Sequence, residues 1–223
     1  MIKPITINIL LLLVAAALAV SAAIAEDEIP LDQKLEGLKP EPRISYLKYV
    51  LKNENGSSDL FFHLGVAFHE LGEADSAIHY YERAVEEDST MFKAFVNMGI
   101  LYDEDNIMMK AVDNYKKALE IRPDDVLANT HLGSLFYRND VFDLGIAYLR
   151  HALESDPSNP QPHYYLGSFF ADSGIYMEAL REWRKVIELE PDGYIASRAR
   201  QNMKMIENAM NKPPVLEPTV PDN

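Results

Sequence analysis

Four glycines recur at a constant interval of 34 residues, Gly65, Gly99, Gly133 and Gly167, with nothing inserted or lost between them. A fixed period of this length marks a stacked helical-repeat array. It constrains the fold more tightly than any local feature, because each unit can bury its apolar face only against its neighbours. With each glycine as the eighth residue of its unit, the units span 58–91, 92–125, 126–159 and 160–193.

Within each unit the apolar positions divide between two helices. Positions four, seven and eleven hold Phe61, Leu64 and Phe68, then Phe95, Met98 and Tyr102. In the third and fourth units they hold Asn129, Leu132 and Phe136, then His163, Leu166 and Phe170. Spacings of three and four place these residues on one helical face, and the glycine lies on that face. Glycine costs a helix about 0.5–1 kcal/mol relative to alanine. Four in register therefore imply that a second helix lies against that spot. The second helix is small where it meets the first, with Ala77, Ala111, Gly145 and Ala179 at position twenty. It is bulky one turn later, with Tyr81, Tyr115, Leu149 and Trp183. Between the helices, Gly72, Asn106, Asp140 and Gly174 share position fifteen. These residue types tolerate the left-handed conformation of a helix C-terminus. Pro123, Pro157 and Pro191 share position thirty-two, where proline ends the second helix, and Ser89 replaces it in the first unit.

Taken together these positions resemble the tetratricopeptide repeat, and the resemblance covers residues 58–193. It implies an all-α fold, a right-handed α-solenoid of stacked antiparallel helix pairs with capping helices at both ends. It also implies a function in protein–protein interaction, through a concave groove lined by the first helix of each pair. The third copy departs most from the family pattern, at Asn129 and Gly145, and is expected to be the softest.

Members of that family line the groove chiefly through positions two, five, nine and twelve of the unit. The resemblance thus nominates Phe62, Val66, His69, Val96, Ile100, Asp103, Thr130, Ser134, Tyr137, Tyr164 and Ser168 as partner-binding residues. Phe62, Val66, Val96 and Ile100 have a second reading, as packing between neighbouring helices. Tyr137 and Tyr164 are the favoured contacts, because tyrosine offers a large rigid surface with a polar tip. Family members that grip a partner's terminal carboxylate use Lys, Asn and Arg. Here the matching positions hold Phe62, Val66 and Asn97, then Leu127 and His131, and only Asn97 fits. An extended or helical segment with apolar anchors suits such a groove better. The acidic run Asp103, Glu104 and Asp105 reads either as a contact for basic groups or as a solvated surface.

The flanks divide by composition. Residues 1–25 combine Lys3, an apolar run from Ile9 to Val20 and the small-x-small site Ala23-Ile24-Ala25, the pattern of a secretory signal peptide. The chain is accordingly expected to cross the inner membrane to a bacterial-type periplasm, or to stay anchored if the leader is retained. Residues 26–42 read as an acidic, proline-containing linker, and 43–57 as an N-terminal capping helix and loop. Residues 194–211 read as a C-terminal capping helix, and 212–223 as a disordered proline-rich tail.

Several chemistries find no support in the sequence. Cysteine is absent and the net charge is −14, which disfavours nucleic acid and anionic membrane surfaces as partners. The six histidines lack zinc-helix spacing, and neither a phosphate loop nor a nucleophile elbow occurs. No enzymatic activity, cofactor or metal is therefore expected. The expected function is an extracytoplasmic protein–protein interaction scaffold or assembly factor of the cell envelope, with a protein or peptide as partner. Two alternatives stand beside it. One is the periplasmic repeat factor of cytochrome c maturation that this architecture also resembles; the other is a self-associating structural array.

Overall fold

The computed structural model describes residues 30–53 and 56–211, so the expected leader and proline-rich tail lie outside the described residues. Eleven helices and no strand occur among them. The chain forms two compact units that divide after Asp88.

The first unit contains α1 (Leu31–Leu35), α2 (Pro40–Asn53), α3 (Ser58–Glu70) and α4 (Ala74–Glu87). Helix α2 begins three residues before the boundary expected at 43. Pro40 and Pro42 fall in its first turn, where no backbone N–H is needed, so prolines that read as linker instead start a helix. Ser57 caps α3 by accepting from the Leu60 N–H at 3.2 Å. Leu47 of α2, Leu64 and Ala67 of α3, and Ala77, Tyr81 and Ala84 of α4 are fully buried. Arg43 of α2 pairs with Glu70 of α3 at 2.8 Å.

The second unit contains α5 (Phe92–Glu104), α6 (Met108–Ile121), α7 (Val126–Arg138), α8 (Phe142–Ser155), α9 (Pro160–Asp172), α10 (Tyr176–Leu189) and α11 (Tyr194–Met210). Its three helix pairs pack in succession, and α11 closes the series against α9 and α10. The helix boundaries follow local chemistry. Asp125 and Asn159 cap α7 and α9 by accepting from the N–H groups of Ala128 and Gln161. Pro123, Pro157 and Pro191 each stand two residues beyond the end of α6, α8 and α10. Asn106, Asp140 and Gly174 take φ values of 59°, 60° and 73° in the turns between paired helices.

The repeat glycines mark close helix crossings. A Cβ at Gly99 would lie 2.6 Å from the Tyr115 ring, and one at Gly167 would lie 2.6 Å from Trp183. The third repeat solves the same problem differently. A Cβ at Gly133 would meet Leu149 at 2.8 Å and the Gly145 carbonyl oxygen at 3.0 Å. Gly145, which departs from the family's alanine, thus lets the α7 and α8 backbones touch. Asn129 is likewise no defect. It is 1 % exposed, and its Nδ2 donates to the carbonyls of Pro123 and Asp125 at 2.9 Å each. A buried polar group with both amide hydrogens used leaves no donor uncompensated for its lost water. His163 holds the same position one repeat later, with Nε2 3.3 Å from the Pro157 carbonyl and Nδ1 2.7 Å from Glu182.

Candidate partner-binding groove

The residues nominated from the sequence fall into three groups, with Tyr137 shared by the last two. Val96, Thr130 and Ser134 are each 2 % exposed and do not line a groove. Val96 belongs to the core formed with Tyr115, Leu132 and Leu135. Thr130 and Ser134 donate their hydroxyls to the carbonyls of Val126 and His131 on their own helix, at 2.6 and 2.9 Å. Their positions on α7 are walled in from both sides, which a one-helix stripe cannot reveal. In the first unit Phe62, Val66 and His69 are half-buried on α3, and the Phe62 ring lies 5.8 Å from that of Tyr81. Ile100 is half-buried and packs on the Val96 core.

The second group is tied up between repeats. Arg138 donates through Nη2 to both carboxylate oxygens of Asp103, at 2.7 and 2.6 Å. The Tyr137 hydroxyl donates to Asp172. Each pair joins position twelve of one repeat to position thirteen of the next, which makes a short ladder along α5, α7 and α9. Asp103 is therefore neutralised within the chain, and the basic contact foreseen for it is Arg138. Burial, followed by the Asp172 carboxylate, raises the Tyr137 pKa above the ordinary phenol value. Beside the same ladder Tyr115 stacks on His131 at 5.8 Å between ring centres. Burial raises the Tyr115 pKa and lowers that of His131.

The third group converges. Tyr137, Tyr164 and Ser168 line one cleft of 460 Å³ with Asp172 and Trp183. The opposite wall is α11, through Arg198, Asn202, Met205 and Ala209. These four lie on one helical stripe, at spacings of four, three and four. That spacing was available in the sequence, but the same helix carries a second stripe of Ala199 and Ile206 buried on the repeats. The buried stripe accounts for a capping helix and hides the other. Tyr164 is held from several directions. Its carbonyl accepts from Trp183 Nε1 at 3.1 Å, its hydroxyl accepts from Asn202 at 3.4 Å, and the Arg198 guanidinium lies 5.5 Å from its ring centre. Tyr164 is only 8 % exposed, so it supports the α11 wall more than it projects into solvent.

The cleft offers aromatic surface, a hydroxyl, one cation and one carboxylate, which is the equipment of a binding site for a polypeptide segment. A larger cleft of 620 Å³ lies between α6 and α8, lined by Leu119, Leu144, Tyr148 and His151, and contains none of the nominated groove residues. Among the described residues no cluster of three or more His, Cys, Asp or Glu could hold a metal, and no helix is long and apolar enough to cross a membrane.

Family models described as tetratricopeptide repeat or TPR repeat match residues 58–90, 109–140 and 132–191. No curated protein matches the chain in sequence. Among solved structures, MamA 41-end from Desulfovibrio magneticus RS-1 is 22 % identical with a TM-score of 0.63, over 74 % of this chain and 93 % of that one. A thermophilic TPR protein in Thermus thermophilus is 16 % identical with a TM-score of 0.61, over 72 % and 89 %. A crystal structure of MamA is 21 % identical with a TM-score of 0.60, over 66 % and 86 %. At these identities the likeness is one of fold.

Proposed function

Because the chain belongs to the tetratricopeptide repeat family, whose arrays serve as protein-interaction scaffolds, we propose that it holds a segment of a partner polypeptide in the cleft of α7, α9 and α11. It does so outside the cytoplasm, as an assembly factor of the cell envelope. The observation that carries the first part is the convergence of Tyr137, Tyr164 and Ser168 in one 460 Å³ cleft. That volume takes a few side chains of an extended or helical segment and excludes a folded domain. Arg198 and Asp172 at its walls fix the polarity of the guest. The address rests on the leader pattern of residues 1–25.

A photo-crosslinking amino acid placed at Ser168, with a second placed at Lys185 on α10 as the control, tests the reading in the native cell. The expected result is a discrete adduct from Ser168 alone, and loss of binding to that purified partner when Ala171 at the cleft wall is changed to Arg. Equal labelling from both positions, or unchanged affinity in Ala171→Arg, removes the cleft from the binding function. The mature protein is expected to begin at Glu26, which N-terminal sequencing checks.

A further inference from the structure

The binding cleft runs along α11 to the point where the helix hands over to residues 212–223. Ala209 lines the cleft, and α11 ends at Met210. The segment that follows reads Lys212-Pro213-Pro214-Val215-Leu216-Glu217-Pro218-Thr219-Val220-Pro221-Asp222-Asn223. Each proline fixes one backbone dihedral and favours the extended polyproline conformation. Such segments dock on aromatic grooves because little conformational freedom is left to lose. The cleft supplies that surface in Tyr137 and the exposed Tyr176, with Trp183 buried beneath. Val215, Leu216 and Val220 supply apolar side chains between the prolines. Both signs stand on each side, Arg198 and Asp172 in the cleft and Glu217, Asp222 and Lys212 in the segment, so the acids can be met by Arg198.

Reach is ample. The stripe from Ala209 back to Arg198 covers about 17 Å of helix. Twelve residues at polyproline rise extend about 37 Å, which leaves several for the reversal.

We propose that residues 212–223 fold back along α11 and occupy the cleft in cis. The site then recognises extended, proline-punctuated segments, and an outside partner must displace the chain's own. This rests on the binding role proposed above for the same cleft. Tethering raises the local concentration of the segment to about the millimolar range. Even weak intrinsic affinity therefore keeps the cleft filled, and the outside partner meets a built-in competitor.

The composition of the chain makes the test direct, since Trp183 is its only tryptophan and it has no cysteine. A nitroxide quencher is attached at Val220→Cys in the full chain, and a control quencher at Met109→Cys, an exposed position on α6. The Val220 label is expected to remove at least about half of the Trp183 emission, as occupancy at millimolar effective concentration requires. The Met109 label is expected to leave it unchanged. Glu217→Lys, which lies beyond the described residues, should restore most of the emission by opposing Arg198. Quenching from Val220 no greater than from Met109 overturns the proposal, and so does quenching indifferent to Glu217→Lys. Quenching that disappears on dilution assigns the cleft to a second copy and also overturns it. Loss of crosslinking at Ser168 with quenching intact supports the tail and defeats the partner reading; crosslinking without quenching defeats the tail alone.

Discussion

At Gly133 and Gly145 two helix backbones meet without side chains between them, whereas the neighbouring repeats set an aromatic ring against the equivalent glycine. The third repeat therefore has less freedom to absorb added volume, because backbone cannot rotate away as a side chain can. Gly133→Leu is expected to lower stability by about 1–3 kcal/mol or more, the usual range for overpacking, and chemical denaturation measures it. His131 gives a prediction of a different kind. Burial favours its neutral form, so its folded pKa lies below the unfolded value of about 6.5. Its contribution to stability is complete above that unfolded value and is lost as pH falls from there through the folded pKa. Thermal melts across that window should show the loss in the parent chain and a smaller loss in His131→Asn, the residue found at the equivalent position Asn97.

The turns and ends of the repeat helices were legible, because the turn residues at position fifteen and the prolines at position thirty-two each mark a boundary independently, whereas α1 and the start of α2 were read as linker. The groove was only partly legible. A stripe on one helix shows which side chains share a direction, and Thr130 and Ser134 share it with Tyr137. It does not show that their hydroxyls turn back to their own backbone while the Tyr137 hydroxyl crosses to the next repeat. Asn129 misled for the opposite reason. A polar residue at a bulky position reads as damage until the Pro123 carbonyl it satisfies comes into view. Crossing between repeats has a measurable energy. Arg138 is half exposed and Asp103 mostly covered, so their ion pair should show a coupling of about 0.5–1 kcal/mol in a double-mutant cycle. A coupling near zero would make the ladder an ornament of geometry without energetic weight.

For the second unit as a whole, stability is the sum of each pair and its contacts with the next, which makes its last helix decisive. Helix α11 covers the core of Leu180, Trp183 and Val186 with Ala196, Ala199 and Ile206. A chain stopped after Gly193 is expected to expose that core and to aggregate, which light scattering records. Tyr164→Ala should act in the same direction, by about 3–5 kcal/mol, because the ring is buried beneath α11. Its melting temperature should drop, and any loss of binding must be corrected for that drop. Ser168 and Ala171 are the positions at which binding can be altered with less cost to the cap.

Asp103 with Arg138 and Tyr137 with Asp172 are both separated by 35 residues, one full period and a single step. Copying one complete 34-residue module would keep positions twelve and thirteen of adjacent repeats opposite each other, but a copied third module would set Tyr137 against a second Arg138 at the new junction. A partial duplication would leave an arginine or a tyrosine facing the wrong rung. The rungs therefore tie the array to the order of its modules as well as to their length.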